Sequence, residues 1–324
     1  MNETSDRATP RPRPALPTSV SEQARQSLAN WRHMPPYPPL DDPEAWIEMI
    51  SSQERDMIEI LRSIRARQEA PAVAEDIDVD GVPTYVIRAT DVDPGPGTPV
   101  YLDIHGGGLI QGSGEMCKAV VAMSAATTGL VHWGVDYRLP PRHPYPAPLD
   151  DCMTVYRHLL RERRPDQIFV GGGSAGGNLA AAVIVRAKDE GLPMPAGLVL
   201  ISPEVDLTES GDSFQTLLGI DNVLTSSLMQ ANLLYANGHD LAHPYLSPLF
   251  ADMSGFPPTF LQAGTRDLFL SNAVRMHRRL RAAGVAAELH VFEAMPHGGF
   301  GGAPEDLEMR GEVRRFIDWI RSLN

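Results

Sequence analysis

From about residue 76 onward, short apolar runs alternate with longer segments of helical pattern. Several of these runs are apolar throughout, as expected for strands that are buried on both faces of a parallel sheet. Strands that alternate with helices of this length are typical of an α/β fold with a parallel central sheet. The pattern predicts strands at 84–88, 100–104, 131–135, 168–170, 198–201, 259–261 and 288–292, and helices near 117–127, 148–162, 175–189, 271–283 and 306–322.

Two segments depart from this alternation. Residues 41–68 carry apolar side chains at spacings of three, four and seven, so they predict a helix that precedes every predicted strand. Residues 203–257 form a long insertion after the strand that ends near residue 201, with a helical stretch at about 226–236. Because parallel sheets bind ligands beyond the carboxyl ends of their strands, we expect this insertion and the N-terminal helical segment to form a cap over a site.

The predicted organisation is a tail, an N-terminal cap segment and one core. The tail over 1–20 is polar and proline-rich, with no apolar stretch of the secretory type, and we expect it to be disordered. The cap segment covers 21–75, and the α/β core covers 76–324 with the cap insertion at about 203–257.

Composition narrows the function classes. The formal net charge of −13 disfavours nucleic acid or an anionic membrane as partner. No apolar stretch approaches the ~18 residues of a membrane span. Cys117 and Cys152 are the only cysteines, so we expect no disulfide framework, and neither has metal-type spacing with a histidine. A soluble, cytoplasmic setting is the resulting expectation.

The sequence Gly172-Gly173-Ser174-Ala175-Gly176 fits G-x-S-x-G, between a predicted strand and a predicted helix. A nucleophile at such a sharp bend needs neighbours with almost no side chain, and the helix start favours a developing anion. A phosphate loop would need a lysine that is absent here. A flexible linker is unexpected between a buried strand and an alanine-rich helix. The motif therefore predicts Ser174 as a nucleophile.

A second glycine-rich motif, His105-Gly106-Gly107-Gly108, directly follows the strand at 100–104. Motifs of the HGGG type supply backbone N–H groups to an oxyanion hole. We expect Gly107 and Gly108 to be the main donors, with Gly106 as a further candidate and the N–H of Ala175 completing the hole. For His105 itself we expect a structural role, anchoring the loop.

An acid and a histidine follow in the chain order Ser…Asp…His that this arrangement requires. Asp267 lies just beyond the strand at 259–261, and His297 lies in a loop of proline and glycine beyond the strand at 288–292. The alternative role for Asp267 is a helix N-cap, for which Ser271 is the better candidate. The histidines form no ligand pattern such as H-E-x-x-H, so we expect no metal.

With these motifs the chain resembles the hormone-sensitive-lipase-like family of α/β-hydrolases over about residues 80–322. The resemblance lies in "YLDIHGGGLIQGS", "GVDYRLPPRHPYPAPLDD", "GGGSAGGNLA", "GTRDLFLSN" and "MPHGGF". It implies the α/β-hydrolase fold, with eight mostly parallel strands and a helical cap, no cofactor, and dimerisation through sheet edges as in several bacterial members. It also implies Ser174, Asp267 and His297 as catalytic triad. Within the family, the segments around Asp267 and His297 are most similar to monoterpene lactone hydrolases.

Three positions depart from the family pattern. Gly173 stands where an acidic residue is frequent, and Leu109 stands where an aromatic residue often follows HGGG. Glu204 stands where an apolar or small residue is common. Because Glu204 follows a strand end, it is either a pocket residue or a solvated surface carboxylate.

These residues predict a carboxylesterase or lactonase with a small hydrophobic substrate. Leu109, Glu204, Met229 and Tyr235 are the candidate substrate contacts, although apolar cap residues also serve as packing. Two other functions are compatible with the motifs. An amidase or peptidase would use the same triad, and a small-ligand receptor on this fold resembles the plant gibberellin receptors. Those receptors have lost the catalytic histidine, whereas this chain keeps it.

Overall fold

The computed structural model describes residues 13–32, 34–65 and 72–323. Its centre is one eight-stranded sheet with the spatial order β1-β2-β4-β3-β5-β6-β7-β8. β2 runs antiparallel to both of its neighbours, and all other neighbouring strands are parallel. The strands are β1 (Ala72–Val79), β2 (Val82–Ala89), β3 (Val100–Ile104), β4 (Val131–Val135), β5 (Ile168–Gly173), β6 (Gly197–Ile201), β7 (Thr259–Gly264) and β8 (Ala287–Phe292).

Helices precede β1, follow β8 and lie in every connection from β3 to β8. The described α-helices are α1 (Glu22–Ala29), α2 (Pro43–Arg65), α3 (Glu115–Thr128), α4 (Ala147–Glu162), α5 (Ala175–Asp189), α6 (Ser213–Thr216), α7 (Met229–Ala236), α8 (Leu270–Ala282) and α9 (Pro304–Ser322). Short 3-10 helices lie at Pro165–Gln167 and Pro248–Phe250.

The main core lies at the centre of the sheet. Every residue of β3, β4 and β7 is buried, because helices cover both faces there. α5 is buried along almost its whole length, and small alanines let it pack close to the sheet. This core holds the carboxyl ends of β3, β5 and β6 side by side, where the predicted site residues begin.

The predicted α/β fold with a mostly parallel sheet is confirmed, but β1 is an addition. Its residues are mostly exposed, and three of the eight, Glu75, Asp76 and Asp78, are acidic. Such residues are depleted in strands, although charge is common on edge strands. The boundary predicted between residues 75 and 76 consequently falls inside β1.

Hydrogen bonds join the N-terminal segment to the insertion that follows β6. The Asn222 side chain donates to the carbonyls of Ser27 and Asn30, at 3.0 and 2.9 Å. The backbone N–H of Arg32 donates to the carbonyl of Asn222 at 2.9 Å. Both parts of the predicted cap are therefore in contact, while their role as a cap over substrate stays a prediction.

Parts of two predictions lie outside the described residues. The tail predicted over 1–20 includes residues 1–12, and the helix predicted over 41–68 includes residues 66–68. Within the described part, α2 covers 43–65 and α1 adds a helix that the pattern did not predict. The helix predicted at about 226–236 begins at Met229.

Candidate active site

Ser174 occupies the sharp turn between β5 and α5. Its backbone has φ 57° and ψ −124°, a conformation that non-glycine residues rarely adopt. The Ser174 N–H donates to the carbonyl of Ile201 at the end of β6, at 2.8 Å. Strain of this kind persists only where the surroundings enforce it, and it holds the hydroxyl clear of both flanking elements.

Two glycines make this turn sterically feasible. A Cβ on Gly172 would lie 2.3 Å from the carbonyl oxygen of Ile104, and one on Gly176 would lie 1.9 Å from the same atom. Gly173 differs, because the nearest atom to its Cβ would be the Ile201 carbonyl oxygen at 3.6 Å. The bend therefore demands glycine at two positions and only tolerates it at the third.

The three predicted triad residues converge although they are far apart in sequence. His297 Nε2 lies 2.9 Å from Ser174 Oγ, and His297 Nδ1 lies 3.1 Å from Asp267 Oδ1. Because an ionised Asp267 only accepts hydrogen bonds, we assign the ring proton to Nδ1, which leaves Nε2 to accept from the serine hydroxyl. The three predicted triad residues are thus joined by hydrogen bonds.

Asp267 is held by the start of the segment that leads into α8. Its Oδ1 also accepts from the N–H of Phe269 at 2.9 Å, and its side chain is completely buried. Phe269 in turn places its ring edge-on to His297, with centroids 4.9 Å apart. The prediction of Ser271 as N-cap is wrong, because α8 already begins at Leu270 and the Ser271 hydroxyl accepts from the N–H of Ser213.

Asp221, a carboxylate that no motif indicated, supports the same loops from within the insertion. Its Oδ2 accepts from the N–H groups of Leu268 (2.9 Å) and His297 (3.3 Å). Its Oδ1 accepts from the N–H groups of Val223 (2.8 Å) and Leu224 (3.2 Å). Burial raises the pKa of Asp221 to about 6, and the neighbouring Asp267 adds to the rise.

The electrostatics of the site raise the pKa of His297. Burial lowers the pKa of the imidazole, but the charge and hydrogen bond of Asp267, with contributions from Asp221 and Glu204, outweigh burial and raise it above the usual value. The site is therefore prepared to stabilise the imidazolium that forms when His297 takes a proton.

The glycine loop after β3 lies directly beside Ser174. A Cβ on Gly106 would lie 3.3 Å from the Cβ of Ser174, so side chains are excluded there. Gly107 and Gly108 have φ of 131° and 60°. Among the described residues, the N–H groups of Gly107, Gly108 and Ala175 have no hydrogen-bond acceptor. Backbone donors next to a nucleophile and without a protein partner are what an oxyanion hole requires.

His105 anchors this loop. Its ring stacks on Tyr137 with centroids 4.0 Å apart, and Nδ1 lies 2.8 Å from the carbonyl oxygen of Gly106. The Tyr137 hydroxyl donates to the backbone carbonyl of His105 at 2.8 Å. Burial lowers the pKa of His105, so the ring stays neutral. These contacts support the expected structural role.

The fold brings His105, Cys117 and Asp136 together, with one ligand atom of each within 4.8 Å of the others. Their sequence spacing did not indicate this cluster. Asp136 already accepts hydrogen bonds from the Tyr85 hydroxyl (2.6 Å) and the Gly114 N–H (2.9 Å). Burial also raises the pKa of the Cys117 thiol, which disfavours the thiolate that a metal binds. The cluster is better explained as hydrogen-bonded support for the glycine loop.

The four candidate substrate contacts have different surroundings. Leu109 and Tyr235 are completely buried within the main core cluster, so packing explains them. Met229 is partly buried at the first turn of α7. Glu204 is also completely buried, so its interpretation as a solvated surface carboxylate is wrong.

An apolar cluster from the insertion and the α8 loop adjoins the triad. Leu228 lies over the glycine loop, since its Cδ2 would be 3.7 Å from a Cβ on Gly108. It packs in one cluster with Phe269, which contacts His297. The cluster comprises Phe214, Leu224, Leu228, Leu268 and Phe269. None of these five residues is among the four substrate contacts predicted from the sequence.

Known proteins resemble this chain in sequence and in fold. A family model described as alpha/beta hydrolase fold matches residues 101–300. An esterase of Acinetobacter venetianus is 34% identical over 201 residues, which cover 61% of this chain and 66% of that protein. The carboxylic ester hydrolase LipN of Mycobacterium tuberculosis is 32% identical over 257 residues, 74% of this chain and 68% of that protein.

Solved structures agree with these relatives. The esterase E25 has a TM-score of 0.86 and 32% identity, covering 95% of this chain and 97% of its own. An esterase from the bacterial hormone-sensitive lipase family has a TM-score of 0.76 and 30% identity, covering 92% and 97%. Within the described ranges, no helix combines the length and apolar character needed to cross a bilayer. The fold, the family model and these relatives together place the chain in the hormone-sensitive-lipase-like family of α/β-hydrolases.

Proposed function

We propose that this protein is a carboxylic ester hydrolase that works through a covalent acyl-enzyme on Ser174. The observation that carries the proposal is the unbroken hydrogen-bonded series from Ser174 through His297 to Asp267, with distances of 2.9 and 3.1 Å. The names of the relatives, esterases and an ester hydrolase, favour esters as the substrate class.

In this mechanism His297 Nε2 removes the hydroxyl proton as Ser174 Oγ attacks the ester carbonyl carbon. Asp267 keeps the ring in the required tautomer and stabilises the imidazolium. The N–H groups of Gly107, Gly108 and Ala175 hold the oxyanion, with Gly106 as a further candidate. His297 then protonates the leaving alkoxide, and later it activates water to release the acid.

The apolar cluster beside the triad supports a substrate with a largely hydrophobic body. The same chemistry opens a lactone, whose leaving alcohol stays tethered to the acyl group. Lactone hydrolysis is therefore a finer form of the proposal, and so is the similarity to monoterpene lactone hydrolases. A panel of lactones of varied ring size beside linear acyl esters tests it, and linear esters that are faster by orders of magnitude would contradict it.

Replacement of the nucleophile tests the proposed mechanism. We expect Ser174→Ala to lower kcat/KM for p-nitrophenyl butyrate by about 10⁴-fold or more, since the triad acts as a unit. An organophosphorus reagent should add its mass to the wild-type peptide that contains Ser174, and to no peptide of the variant. Ser52→Ala, at an exposed position of α2, is the matched control and should behave as wild type.

Two results would contradict the proposal. One is turnover by Ser174→Ala within about tenfold of wild type. Loss of a true nucleophile lowers the rate far more than this, so such a result would show that Ser174 is not the nucleophile. The other is a matched ester and amide pair in which the amide is the faster substrate, which would favour the amidase or peptidase alternative. Dimerisation through the exposed sheet edges and a cytoplasmic location stay predictions.

A further inference from the structure

The direction of each backbone donor in the glycine loop depends on the carbonyl group at the other end of its peptide. In a planar trans peptide the C=O and N–H groups point in opposite directions. The Gly108 N–H shares its peptide with the carbonyl of Gly107, which accepts from the N–H groups of Ile110 and Gln111 at 3.2 and 3.1 Å. The turn that follows Gly108 therefore fixes the direction of its N–H.

The Gly107 N–H is fixed in a similar way. It shares its peptide with the carbonyl of Gly106, whose oxygen lies 2.8 Å from His105 Nδ1. Because a carbonyl oxygen only accepts, Nδ1 donates to it. A Cβ on Gly112 would lie 2.5 Å from the same oxygen, so the backbone of Gly112 packs against this peptide from behind. The position of Gly112 consequently bears on the direction of the Gly107 N–H.

The peptide between Gln111 and Gly112 closes the loop. Its carbonyl faces Gly107, since a Cβ on Gly107 would lie only 2.0 Å from that oxygen. Its N–H points the other way and donates to Glu54 Oε1 at 2.9 Å. Glu54 lies 58 residues earlier in the chain, on α2 of the N-terminal segment. One carboxylate of that segment thus holds the peptide against which both donors are supported.

Apolar packing joins the same loop to the same helix. Ile110, whose N–H bonds to Gly107, is buried in one cluster with Trp46 and Ile50 of α2 and Ala231 of α7. The loop is therefore joined to α2 by one hydrogen bond and one apolar cluster, and α7 of the insertion shares that cluster.

We propose that Glu54 is a positioning residue for the oxyanion donors, so that α2 contributes to the reaction itself besides covering the site. Glu54 acts through the Gln111–Gly112 peptide, and the N–H groups of Gly107 and Gly108 contact the oxyanion. This inference rests on the proposed function and deepens it.

The expected effect is on turnover. Acylation and deacylation both pass through a tetrahedral oxyanion, so donors that lose their alignment slow both steps alike. Loss of a whole donor lowers kcat by about 10²- to 10³-fold. A donor that is retained but poorly aligned should lose less, about tenfold. KM should stay within about twofold, since the lost interaction is made in the transition state.

Two variants isolate the hydrogen bond. Glu54→Met has a similar length without an acceptor, and its kcat for p-nitrophenyl butyrate should fall by about tenfold. Glu54→Gln keeps an acceptor oxygen at the same reach, and its kcat should stay within about threefold of wild type. Glu48→Met, at an exposed position of the same helix, is the matched control and should behave as wild type. Active sites are counted with an organophosphorus reagent, so that unfolded protein does not lower kcat.

A transition-state analogue separates this role from a structural one. In an alkyl trifluoromethyl ketone, Ser174 Oγ adds to the carbonyl carbon, His297 takes the hydroxyl proton, and the carbonyl electron pair moves to the oxygen. This adduct places an anion against the donors, whereas the corresponding alcohol forms none. In Glu54→Met the inhibition constant of the ketone should rise by about tenfold, and that of the alcohol should stay within about twofold. A residue that only stabilises the fold would leave the ratio of the two constants unchanged.

Several results would overturn the inference. It is wrong if kcat of Glu54→Met stays within about twofold of wild type, or if its loss of activity lies in KM alone. It is also wrong if Glu54→Gln or Glu48→Met loses as much as Glu54→Met, because the acceptor would then not be the cause. If Ser174→Ala is inactive while Glu54→Met is unaffected, only the inference fails. If the wild type hydrolyses no ester, the proposed function fails with it.

Discussion

Alanine substitutions at the glycines around Ser174 should have opposite effects at neighbouring positions. The perturbation is a single added methyl group at residue 172, 173 or 176. At Gly172 and Gly176 the new Cβ would lie 2.3 and 1.9 Å from the carbonyl oxygen of Ile104, where real contacts essentially never fall below 3.0 Å. At Gly173 the nearest atom is 3.6 Å away, which is ordinary van der Waals contact.

The magnitudes follow from what has to move. Ile104 is the last residue of β3, in the fully buried centre of the sheet, so its carbonyl has little freedom to retreat. We expect Gly176→Ala and Gly172→Ala to lower the free energy of unfolding by about 3 kcal/mol or more, the upper end for added atoms in a packed interior. Gly173→Ala should change it by between zero and a gain of about 1 kcal/mol, because alanine restricts the unfolded chain.

Urea unfolding, followed by circular dichroism, measures these free energies, and p-nitrophenyl butyrate hydrolysis reports on the turn itself. Gly176→Ala should be the least stable variant and should lose hydrolysis, because relief of the clash displaces Ser174 from His297. Gly173→Ala should retain hydrolysis. If Gly173→Ala is destabilised as much as Gly176→Ala, then the crossing of β3 and α5 does not set the glycine requirement.

Two further substitutions test the electrostatics of the triad. His297 acts as a base only when it is neutral. Because its pKa is raised above 6.5, the wild-type kcat/KM should fall as pH drops through a value above 6.5. Asp267→Asn removes the carboxylate that raises this pKa, so the acid limb should move to lower pH and activity should fall by about 10⁴-fold; an unmoved limb would contradict this. Asp221→Asn replaces one of the accepting oxygens by an NH₂ group, a donor that would face backbone N–H donors. The free energy of unfolding should therefore fall by about 2–4 kcal/mol in urea titrations. The exposed Asp212→Asn is its control and should stay within about 0.5 kcal/mol of wild type.

The sequence predicts the interior of the sheet better than its edge. β3, β4 and β7 are buried on both faces, so their composition is dominated by the demand for apolar side chains. β1 pairs with only one neighbour and is largely solvated, so its apolar and acidic residues need not follow the periodic pattern that identifies a buried strand. It is a strand because β2 offers a hydrogen-bonding edge, which is tertiary information.

A similar division holds within the site. Ser174 and its glycines lie in a local motif, because a tight turn constrains residues that are adjacent in sequence. No sequence motif marks Asp221, because it accepts hydrogen bonds from the backbone N–H groups of Leu268 and His297, which lie 47 and 76 residues later in the chain. Any position whose backbone passes those loops could carry such a carboxylate, and only the folded path of the insertion identifies this one.

Glu204 shows where departure from a family pattern becomes informative. In the sequence the departure was compatible with both a pocket and a surface residue, because a strand end borders on both. Complete burial removes the surface alternative.

The two glycine-rich motifs depend on each other physically. A Cβ on Gly106 would lie 2.8 Å from the carbonyl oxygen of Gly173, and one on Gly176 would lie 2.6 Å from the carbonyl oxygen of His105. Each motif therefore clears space for the backbone of the other where β3 and β5 end side by side. This mutual requirement explains why the glycine loop after β3 and the turn at Ser174 lie against each other. A glycine run that served only one tight turn would place no demand on the second motif, so their joint occurrence in one chain is stronger evidence for an esterase site than either motif alone.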